Sequence, residues 1–539
     1  MSGAGVFDAV VIGAGPNGLV AANQLIDRGW SVVVVEAEPE PGGAVRSGEV
    51  LEAGFVTDRF SAFYPLSIVS PHIAGLALED HGLRWAQAPT VLAHPRLDAP
   101  AAVLSRDLAV TAGSLERFAP GDGERWCALQ SEWDDVEDDL IATLMAPFPP
   151  VRAGLRLVRH LGLANATELA RRAAMPVRRL AEERFEGDGA GLLLAGSALH
   201  ADVTPDSVLS GLLGWLLTGI AQRHGWPVPI GGAGELTAAL VRRFDALGGV
   251  VMCDRRVVEI TTDAGGASGV RTDTGEQFDA RHAVVADVVA PKLYGELLAH
   301  DDVPAALGRR IGRYQPGSAT FKVNWTLDGP IPWSDRSVVG AGTVHLASSM
   351  DELTMSAAQL STGRLPSHPF VLLGQMTTAD STRSPAGTES VWAYTDVPQT
   401  VRGDAAGELP GLDSAAAVEA FADRLQDRIE LHAPGFGRLV RRRSVQSPND
   451  LERSDANLIN GDKNLGTAQL HQQLIFRPTL GLGRAETAIP KLFLASASAH
   501  PGGGVHGACG AHAARAALVS TWAGGAARRP VAARWRRHA

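Results

Sequence analysis

A chain of 539 residues is too long for one hydrophobic core, so we expect two or three domains. Hydrophobic residues at 45% and charged residues at 20% are typical of a soluble globular protein, and the net charge of −10 argues against nucleic acid as a partner. The three cysteines, Cys127, Cys253 and Cys509, stand far apart, which argues against a dithiol redox centre, a zinc site or a secreted disulfide scaffold.

Residues 7–36 predict a strand, a glycine-rich turn, a helix and a second strand. In a dinucleotide-binding turn Gly13 permits a tight bend, Gly15 lets the backbone approach a pyrophosphate, and Gly18 lets the helix pack closely on the strand. The helix N-terminus attracts phosphate, and Glu36 is placed to accept the ribose hydroxyls. The candidate cofactor-binding residues of this stretch are Gly13, Gly15, Pro16, Asn17, Gly18, Glu36 and Ala37.

A second glycine pair follows the acidic residue. Gly42, Gly43, Ala44 and Arg46 resemble the glycine pair and arginine found after the ribose-binding acid in two-domain FAD flavoproteins. Domains that bind NAD usually lack this feature. The predicted dinucleotide is therefore FAD rather than NAD.

The next part of the chain predicts a change of domain. A hairpin over residues 48–55 ends at residues 57–58, and helices with proline-rich loops follow from about residue 71. Residues 131–144 predict a helix with a solvated acidic face. Residues 151–163 predict a basic amphipathic helix, for which packing on its own domain is preferred and contact with a membrane surface is the alternative. Residues 192–220 predict helices that are buried or that line an apolar pocket.

From residue 225 the pattern returns to that of the first domain, with a glycine-rich turn, a helix to residue 247 and strands at 250–253, 257–261 and 283–285. We therefore predict an α/β protein with a discontinuous, Rossmann-type FAD-binding domain at 1–70, 228–300 and 470–525. An α+β substrate domain is expected at 71–227 and 301–469. Residues 526–539 form a basic tail, which we expect to be solvated.

Lys322 stands in a strand whose residues alternate in character. Phe321, Val323, Trp325 and Leu327 share one face, and Lys322 lies on the other. Because the chain has four lysines and forty-five arginines, a lysine inside a strand is unusual here. A functional role and an edge-strand position with the ammonium in water are both open.

Near the C-terminus a strand over residues 491–495 leads into a second glycine-rich loop and then a helix to about Trp522. A loop this rich in glycine lets its backbone lie directly against a flat or anionic group. We therefore predict a second cofactor-binding loop. Its candidate residues are His500, Gly503, Gly504 and Val505.

These motifs, in this order, resemble those of phytoene-dehydrogenase-related FAD oxidoreductases, the carotenoid and retinoid oxidoreductase family. The similarity is greatest to the branch named after pyridine nucleotide-disulfide oxidoreductases, although the Cx4C pair and a second GxGxxG are absent. The resemblance implies an amine oxidase/phytoene desaturase-like fold. It implies that Val257 offers its backbone to the adenine, that Gly503 to Val505 lie beside the isoalloxazine, and that Lys322 holds a water near flavin N5.

We therefore predict an oxidoreductase with non-covalent FAD that moves hydride from a C–H bond of an apolar substrate, an isoprenoid or other lipid, to flavin N5. Lys322 and His500 are the candidate catalytic residues, and no metal site is expected. A flavin amine oxidase is the alternative, and a flavin-free binding protein like the GDP-dissociation inhibitors is the second. Oxygen or a quinone is the expected electron acceptor. We expect a cytoplasmic location, with peripheral membrane contact as an open alternative, because no secretory signal or bilayer-spanning run is visible.

Overall fold

The computed structural model describes residues 5–522, so the predicted basic tail at 526–539 lies outside the described residues. The strands are β1 Gly5–Ile12, β2 Val32–Val35, β3 Ser47–Gly48, β4 Thr57–Asp58, β5 Trp85–Ala86, β6 Thr90–His94, β7 Ala102–Leu104, β8 Val228–Pro229, β9 Val250–Met252, β10 Val257–Asp263, β11 Gly266–Thr272, β12 Gln277–Ala286, β13 Ala319–Leu327, β14 Ala341–Leu346, β15 Arg364–Leu365, β16 Val371–Gln375, β17 Glu389–Val397, β18 Gly403–Asp404, β19 Val440–Gln446 and β20 Leu492–Leu494. The helices are α1 Pro16–Ile26, α2 Pro65–Ile68, α3 Pro71–Ala74, α4 Leu108–Leu115, α5 Asp122–Leu144, α6 Val151–Ala174, α7 Val177–Arg184, α8 Gly189–Ala198, α9 Ser210–His224, α10 Gly234–Ala246, α11 Ala290–Lys292, α12 Ala305–Ile311, α13 Met350–Ser361, α14 Met376–Ala379, α15 Ala415–His432, α16 Phe436–Leu439, α17 Pro448–Ser454 and α18 Ala508–Trp522.

Two seven-stranded sheets organise these elements. The first has the order β10-β11-β12-β1-β2-β9, with β20 pairing with β12, and its central strands β12, β1, β2 and β9 run parallel. It combines strands from both ends and the middle of the chain, as expected for a discontinuous nucleotide-binding domain. The second sheet, β19-β13-β17-β16-β14-β6-β7, is largely antiparallel. The two-domain α/β fold is thereby confirmed, while the exact domain boundaries stay predictions.

The central strands of the first sheet are apolar on both faces because helices cover both. Val10 and Val33 pack into one core and Val11 and Val34 into the other, and all four are fully buried. This is the pattern of a doubly covered parallel sheet, in which strands are continuous apolar runs. The predicted β1-α1-β2 unit is confirmed, with α1 beginning at Pro16, directly after the glycine turn.

Helices α1 and α18 pack against each other through a glycine. A Cβ atom on Gly510, in the first turn of α18, would overlap the carbonyl oxygen of Asn17 in the first turn of α1. Each helix follows a glycine-rich loop. The close contact therefore holds the N-termini of the two helices, and the loops before them, side by side.

An ion-pair network connects the first sheet's domain with the loop before β17. The Arg383 guanidinium donates to Asp58 Oδ2 at 2.9 Å and to Asp380 Oδ2 at 3.0 Å, and all three side chains are at most 3% exposed. Asp58 also accepts the backbone N–H of Ala233, and Asp380 accepts that of Gly231, each at 2.8 Å. A buried ion pair needs such additional hydrogen bonds to compensate for lost hydration.

Several sequence expectations require correction. The predicted hairpin that ends at residues 57–58 is present, but its antiparallel strands β3 and β4 have two residues each, and residues 49–56 form the loop between them. The acidic face of α5 is only partly solvated, since Glu137 is 3% exposed and pairs with Arg223 and His224. Helices α8 and α9 are buried as predicted. They contribute no residue to the main cavity described below, so they do not form an apolar channel there.

Helix α6 contacts its own domain with one face and solvent with another. Leu157 is buried in the core of the helical region, whereas Val151, Leu155 and Val158 are 58%, 52% and 43% exposed. These three residues follow the i, i+4, i+7 spacing of a single helical face. In residues 5–522, no helix combines the length and hydropathy that a bilayer span requires. Membrane contact of α6 therefore stays a prediction.

We expect Gly510→Ala to force α1 and α18 apart, because its new methyl group would meet backbone that cannot rotate away. Overpacking of this kind lowers the free energy of unfolding by about 1–3 kcal/mol. Urea unfolding measures the change. Gly113→Ala, in α4 with no atom near the added methyl group, is the control and should be neutral or slightly stabilising. If Gly510→Ala were as stable as Gly113→Ala and the unmodified protein, the close contact between α1 and α18 would be contradicted.

Candidate active site

A cavity of about 620 Å³ lies between the two large sheets and is lined by residues of both. The N-terminal glycine turn, the second glycine pair and the C-terminal glycine loop all reach it. Of the residues predicted from the sequence, the cavity is lined by Gly13, Gly15, Pro16, Asn17, Glu36, Ala37, Gly43, Ala44, Arg46, Val257, Lys322, Gly504 and Val505. Loops almost five hundred residues apart in sequence therefore border one space.

Three predicted glycines lie just behind this wall. A Cβ on Gly18 would overlap the Gly13 carbonyl oxygen, which matches its predicted part in packing helix on strand. Gly42 donates its N–H to the Ala14 carbonyl oxygen at 2.9 Å. A Cβ on Gly503 would lie 2.6 Å from Oδ1 of Asn464. These residues shape the loops and do not themselves line the cavity.

His500 does not line the cavity, which contradicts the expectation that it touches substrate or flavin. Its Nε2 lies 3.1 Å from the Ala146 carbonyl oxygen, and its ring stacks on that of His512. Burial lowers the pKa of His500 to about 4, so the imidazole is neutral at ordinary pH. The sequence placed His500 next to the flavin loop, but the following turn directs its side chain toward the end of α5.

Glu36 accepts two backbone N–H groups at the nucleotide end of the cavity. Its Oε2 accepts from Ala14 at 2.6 Å and its Oε1 from Glu38 at 2.9 Å. Burial raises the pKa of Glu36, although the two hydrogen bonds oppose the increase. Each carboxylate oxygen has a second lone pair, so the predicted contact with ribose hydroxyls is sterically and chemically compatible with this arrangement.

Asp287 is a site residue that the sequence reasoning missed. It follows β12 directly, lines the cavity and accepts the Gly18 N–H at 2.8 Å. A Cβ on Gly15 would lie 2.7 Å from Asp287 Oδ2, so glycine is required there. Burial, together with repulsion from Asp455 and Glu36, raises the pKa of Asp287 to about 7. An acidic residue two positions after the predicted strand at 283–285 was the available signal.

Arg46 closes the opposite side of the nucleotide end. Its guanidinium donates to the backbone carbonyl oxygens of Gly43 at 2.8 Å and of Ser454, and the side chain is 6% exposed. Asp455, which also lines the cavity, follows Ser454 in the chain. These hydrogen bonds hold the guanidinium at the cavity wall, and its contact with a pyrophosphate stays a prediction.

Lys322 lies in β13, an interior strand between β19 and β17, and is 2% exposed. The edge-strand alternative is therefore wrong. As predicted, Phe321 and Val323 face the core of the second sheet and Lys322 faces the other way, into the cavity. Its Nζ donates to the Asp58 backbone oxygen. Burial lowers the pKa of Lys322 to about 7, and attraction to Asp58 opposes this only in part.

The strand next to Lys322 adds an aromatic wall that the sequence reasoning did not identify. Tyr394 pairs with Lys322 in register, and Trp392 is two residues away on the same face of β17. The two rings are stacked, with centroids 5.8 Å apart and an interplanar angle of 13°. Gly374, opposite Trp392 on β16, leaves room for the indole. The alternating pattern of residues 389–397 could have indicated this face.

Two further polar side chains at this end were also missed. Lys463, in the loop after α17, forms an ion pair with Asp396 and lies 5.2 Å from the centroid of the Tyr394 ring. His200, two residues after the end of α8, has its Nε2 3.0 Å from Nε2 of His345. No local sequence pattern marks either residue, because each stands in a loop that long-range packing brings to the cavity.

Short helices hold the C-terminal glycine loop in place. Ser67, in α2, donates its hydroxyl hydrogen to the Val505 carbonyl oxygen at 2.5 Å. Ser70, the N-cap of α3, donates to the His506 carbonyl oxygen at 2.6 Å. The loop backbone is therefore fixed before any ligand binds.

The cavity wall fits an extended cofactor with polar edges. Asn17 Oδ1, Thr320 Oγ1 and Thr343 Oγ1 are buried, belong to residues that line the cavity, and have no hydrogen-bond partner within the described part of the chain. Buried polar atoms without partners are rare in native proteins, so these atoms indicate ligand contacts. The glycines of both loops leave the space that side chains would otherwise fill.

No thiol is presented to the cavity by residues 5–522. Cys509 is fully buried, and its Sγ donates to the carbonyl oxygens of Ala499 at 3.5 Å and Gly502 at 3.7 Å. Burial raises the pKa of this thiol to about 12, which makes it a poor nucleophile. The described residues also contain no group of three or more His, Cys, Asp or Glu side chains arranged to hold a metal ion.

Comparison with known proteins identifies the architecture. The family profile described as flavin containing amine oxidoreductase matches residues 17–384. Among curated proteins, the chain is 28% identical to pyridine nucleotide-disulfide oxidoreductase domain-containing protein 2 of Mus musculus, covering 94% of this chain and 92% of that protein. It is 25% identical to the lycopene-forming phytoene desaturase of Pseudescherichia vulneris, covering 95% and 98%.

A solved structure shows the same fold at lower sequence similarity. An oxidoreductase from Methanosarcina mazei superimposes with a TM-score of 0.61 at 15% identity, covering 95% of this chain and 99% of that one. At this identity the similarity concerns the fold alone.

We expect the affinity for FAD to fall as the pH rises through about 7, because ionised Asp287 repels the diphosphate. Asp287→Asn keeps an acceptor for the Gly18 N–H without the charge. The variant should bind FAD more tightly than the unmodified protein above pH 7 and show no such pH dependence. If one proton is linked to binding, the affinity for FAD falls by at most about tenfold per pH unit.

Fluorescence titration of the flavin-stripped protein between about pH 6 and pH 8.5 measures this effect. Asp273→Asn, in an exposed loop, is the control variant. A pH dependence that persists in Asp287→Asn would show that another group titrates.

Proposed function

This chain belongs to the family of flavin-containing amine oxidoreductases and is an FAD-dependent oxidoreductase, and on this premise we propose that it is a dehydrogenase of apolar, lipid-like substrates with non-covalently held FAD. One observation carries the proposal: a single cavity joins both glycine loops to Lys322 and to an aromatic wall. The flavin-free binding alternative is not retained, since the matched family and the two curated relatives named above are oxidoreductases.

Non-covalent attachment is supported by the surroundings of the thiols. Covalent flavin attachment through sulfur needs a reactive thiolate at the cofactor, whereas Cys509 is buried, protonated and hydrogen-bonded to backbone. The three orphaned acceptors and the glycine cradle instead offer hydrogen bonds and close backbone contact. Hydrogen bonds and packing are sufficient to hold a dinucleotide.

The apolar substrate is supported by the lining near Lys322. Phe63, Trp392, Tyr394, Leu465 and Ala497 line this end of the cavity. Apolar and aromatic walls with few polar groups favour a hydrocarbon-like substrate and exclude water. The phytoene desaturase relative acts, by its name, on a polyene, which agrees with this chemistry.

Bound flavin supplies a two-electron acceptor at N5. The substrate loses a hydride from one carbon and a proton from the adjacent carbon, so a carbon–carbon double bond forms. Lys322 is suited to take the proton: one N–H is donated to the Asp58 carbonyl oxygen, and above pH 7 the neutral amine has a free lone pair. Oxygen or a quinone finally accepts two electrons and two protons.

Amine oxidation is a second candidate, and it would be favoured if Lys322 faced flavin N5 and aromatic side chains formed a cage around the amine. Lys322 does line the cavity beside two aromatic residues. Trp392 and Tyr394, however, stack on each other along one strand. They form one wall rather than two facing walls of a cage. The geometry therefore favours the dehydrogenase.

We expect the purified protein to be yellow and to release intact FAD on acid precipitation. Under anaerobic conditions, polyenes and lipid chains should bleach the flavin and amines should not. Photoreduction of the same sample is the control, since it shows that the flavin can be reduced. Bleaching by amines alone would overturn the dehydrogenase proposal, and colourless protein that takes up no FAD would overturn the flavin site.

We expect the rate of flavin reduction to rise with pH through about 7, because the pKa of Lys322 is lowered and its neutral form accepts the proton. Lys322→Met should slow reduction about 10²–10⁴-fold and remove this pH dependence. Anaerobic stopped-flow absorbance between about pH 6 and pH 9 measures both. Lys491→Met, outside the cavity, is the matched control. A variant that keeps the same pH profile would exclude Lys322 as the base.

A further inference from the structure

The cavity contains a partly buried cation, 22% exposed in its side chain, that the proposed chemistry does not use. Lys463 lines the cavity at the end formed by Tyr394 and Trp392. Of the four lysines in the chain, three line this cavity: Lys292, Lys322 and Lys463. Lysine is scarce in this protein, so its concentration at one cavity calls for an explanation.

The ion pair of Lys463 is oriented with its cation toward the cavity. Asp396 accepts one N–H of the ammonium but does not line the main cavity. It lines a second, smaller cavity of about 290 Å³ on the other side. An ammonium carries three N–H donors, and in the described part of the chain Asp396 takes one of them. The main cavity therefore faces a positively charged donor.

The Lys463 ammonium stays protonated at ordinary pH. Burial alone lowers its pKa, but attraction to Asp396 and Tyr394 outweighs this effect, and the pKa lies above its usual value. His200, which lines the same end, is neutral because burial and the nearby Lys463 lower its pKa to about 3. The positive charge therefore belongs to Lys463.

The acidic residues of the cavity lie at the nucleotide end, away from Tyr394. Glu36 accepts the backbone N–H of Ala14, Asp287 accepts that of Gly18, and Glu38 Oε1 accepts from the Arg256 guanidinium at 3.3 Å. The described residues that line the end near Tyr394 include no carboxylate. At the nucleotide end the carboxylates stand beside Arg46 and Arg256, whereas the end near Tyr394 has the cation of Lys463 and no carboxylate among its described lining residues.

We propose that the substrate is an apolar chain bearing a carboxylate, and that Lys463 binds this carboxylate. This inference rests on the proposed function, because it specifies the substrate of the same cavity. The aromatic wall holds the chain, and the ammonium fixes the polar end by a charge-assisted hydrogen bond. Lys463 also disfavours protonated amines, because the cation already lies over the face of Tyr394 that would attract them.

The test compares ligands of equal chain length on the flavin-loaded protein. Isothermal titration calorimetry with decanoate, decanol and decylamine measures binding without turnover. We expect decanoate to bind about tenfold or more tightly than decanol, and decylamine more weakly than decanol. Lys463→Gln should remove the preference for decanoate while decanol binds as before, and Lys463→Arg should keep part of the preference.

Lys491→Gln is the matched control, since the fourth lysine does not line the cavity. Equal binding of decanoate and decanol, no binding of either, or an unchanged preference in Lys463→Gln would each overturn the inference. Loss of flavin from Lys463→Gln would overturn it too, because Lys463 would then hold the cofactor. The two proposals can fail separately. If no polyene or lipid chain bleached the flavin in the anaerobic test, the dehydrogenase proposal would be overturned, whereas the preference for decanoate measured by calorimetry would stand.

Discussion

The contact between Gly510 and the Asn17 carbonyl oxygen is the constraint on which the site depends. Helices α1 and α18 begin at the two glycine loops, and their first turns approach as closely as backbone allows. Because both helix N-termini then lie side by side, the loops before them border the same cavity, together with the first residues of α1. A side chain at position 510 would push the first turns of the two helices, and the loops before them, apart.

The floor of the cavity depends on a different regularity, the two-residue alternation of β-strands. In β13 and β17 one set of residues packs into the core of the second sheet, and the other set, with Lys322, Trp392 and Tyr394, faces the cavity. Register places Lys322 beside Tyr394, so a proton acceptor and an aromatic wall arise from neighbouring strands. The rigidity of an interior strand pair suits residues that must be held near a reacting bond.

Burial determines the chemistry of the groups that these elements bring together. Lys322 is desolvated without an ionised partner in contact, so its pKa falls to about 7. Lys463 is only partly buried and lies beside Asp396, and its pKa rises. Two lysines in one cavity thus have opposite properties, one suited to accept a proton and the other to bind an anion. Neither property follows from residue type.

The sequence by itself determined the β1-α1-β2 unit, the glycine loops, the acid Glu36, the two-domain α/β fold and the strand face on which Lys322 lies, because these depend on local periodicity and on glycine spacing. That this face is turned into the cavity, in an interior strand, was decided by the sheet. Tertiary structure alone decided the rest. Asp287, Lys463 and His200 reach the cavity through contacts between distant segments, and the turn after the last strand directs His500 away from it. Local patterns record which face of a strand or helix a residue occupies, whereas the position of a loop side chain depends on packing between segments far apart in the chain.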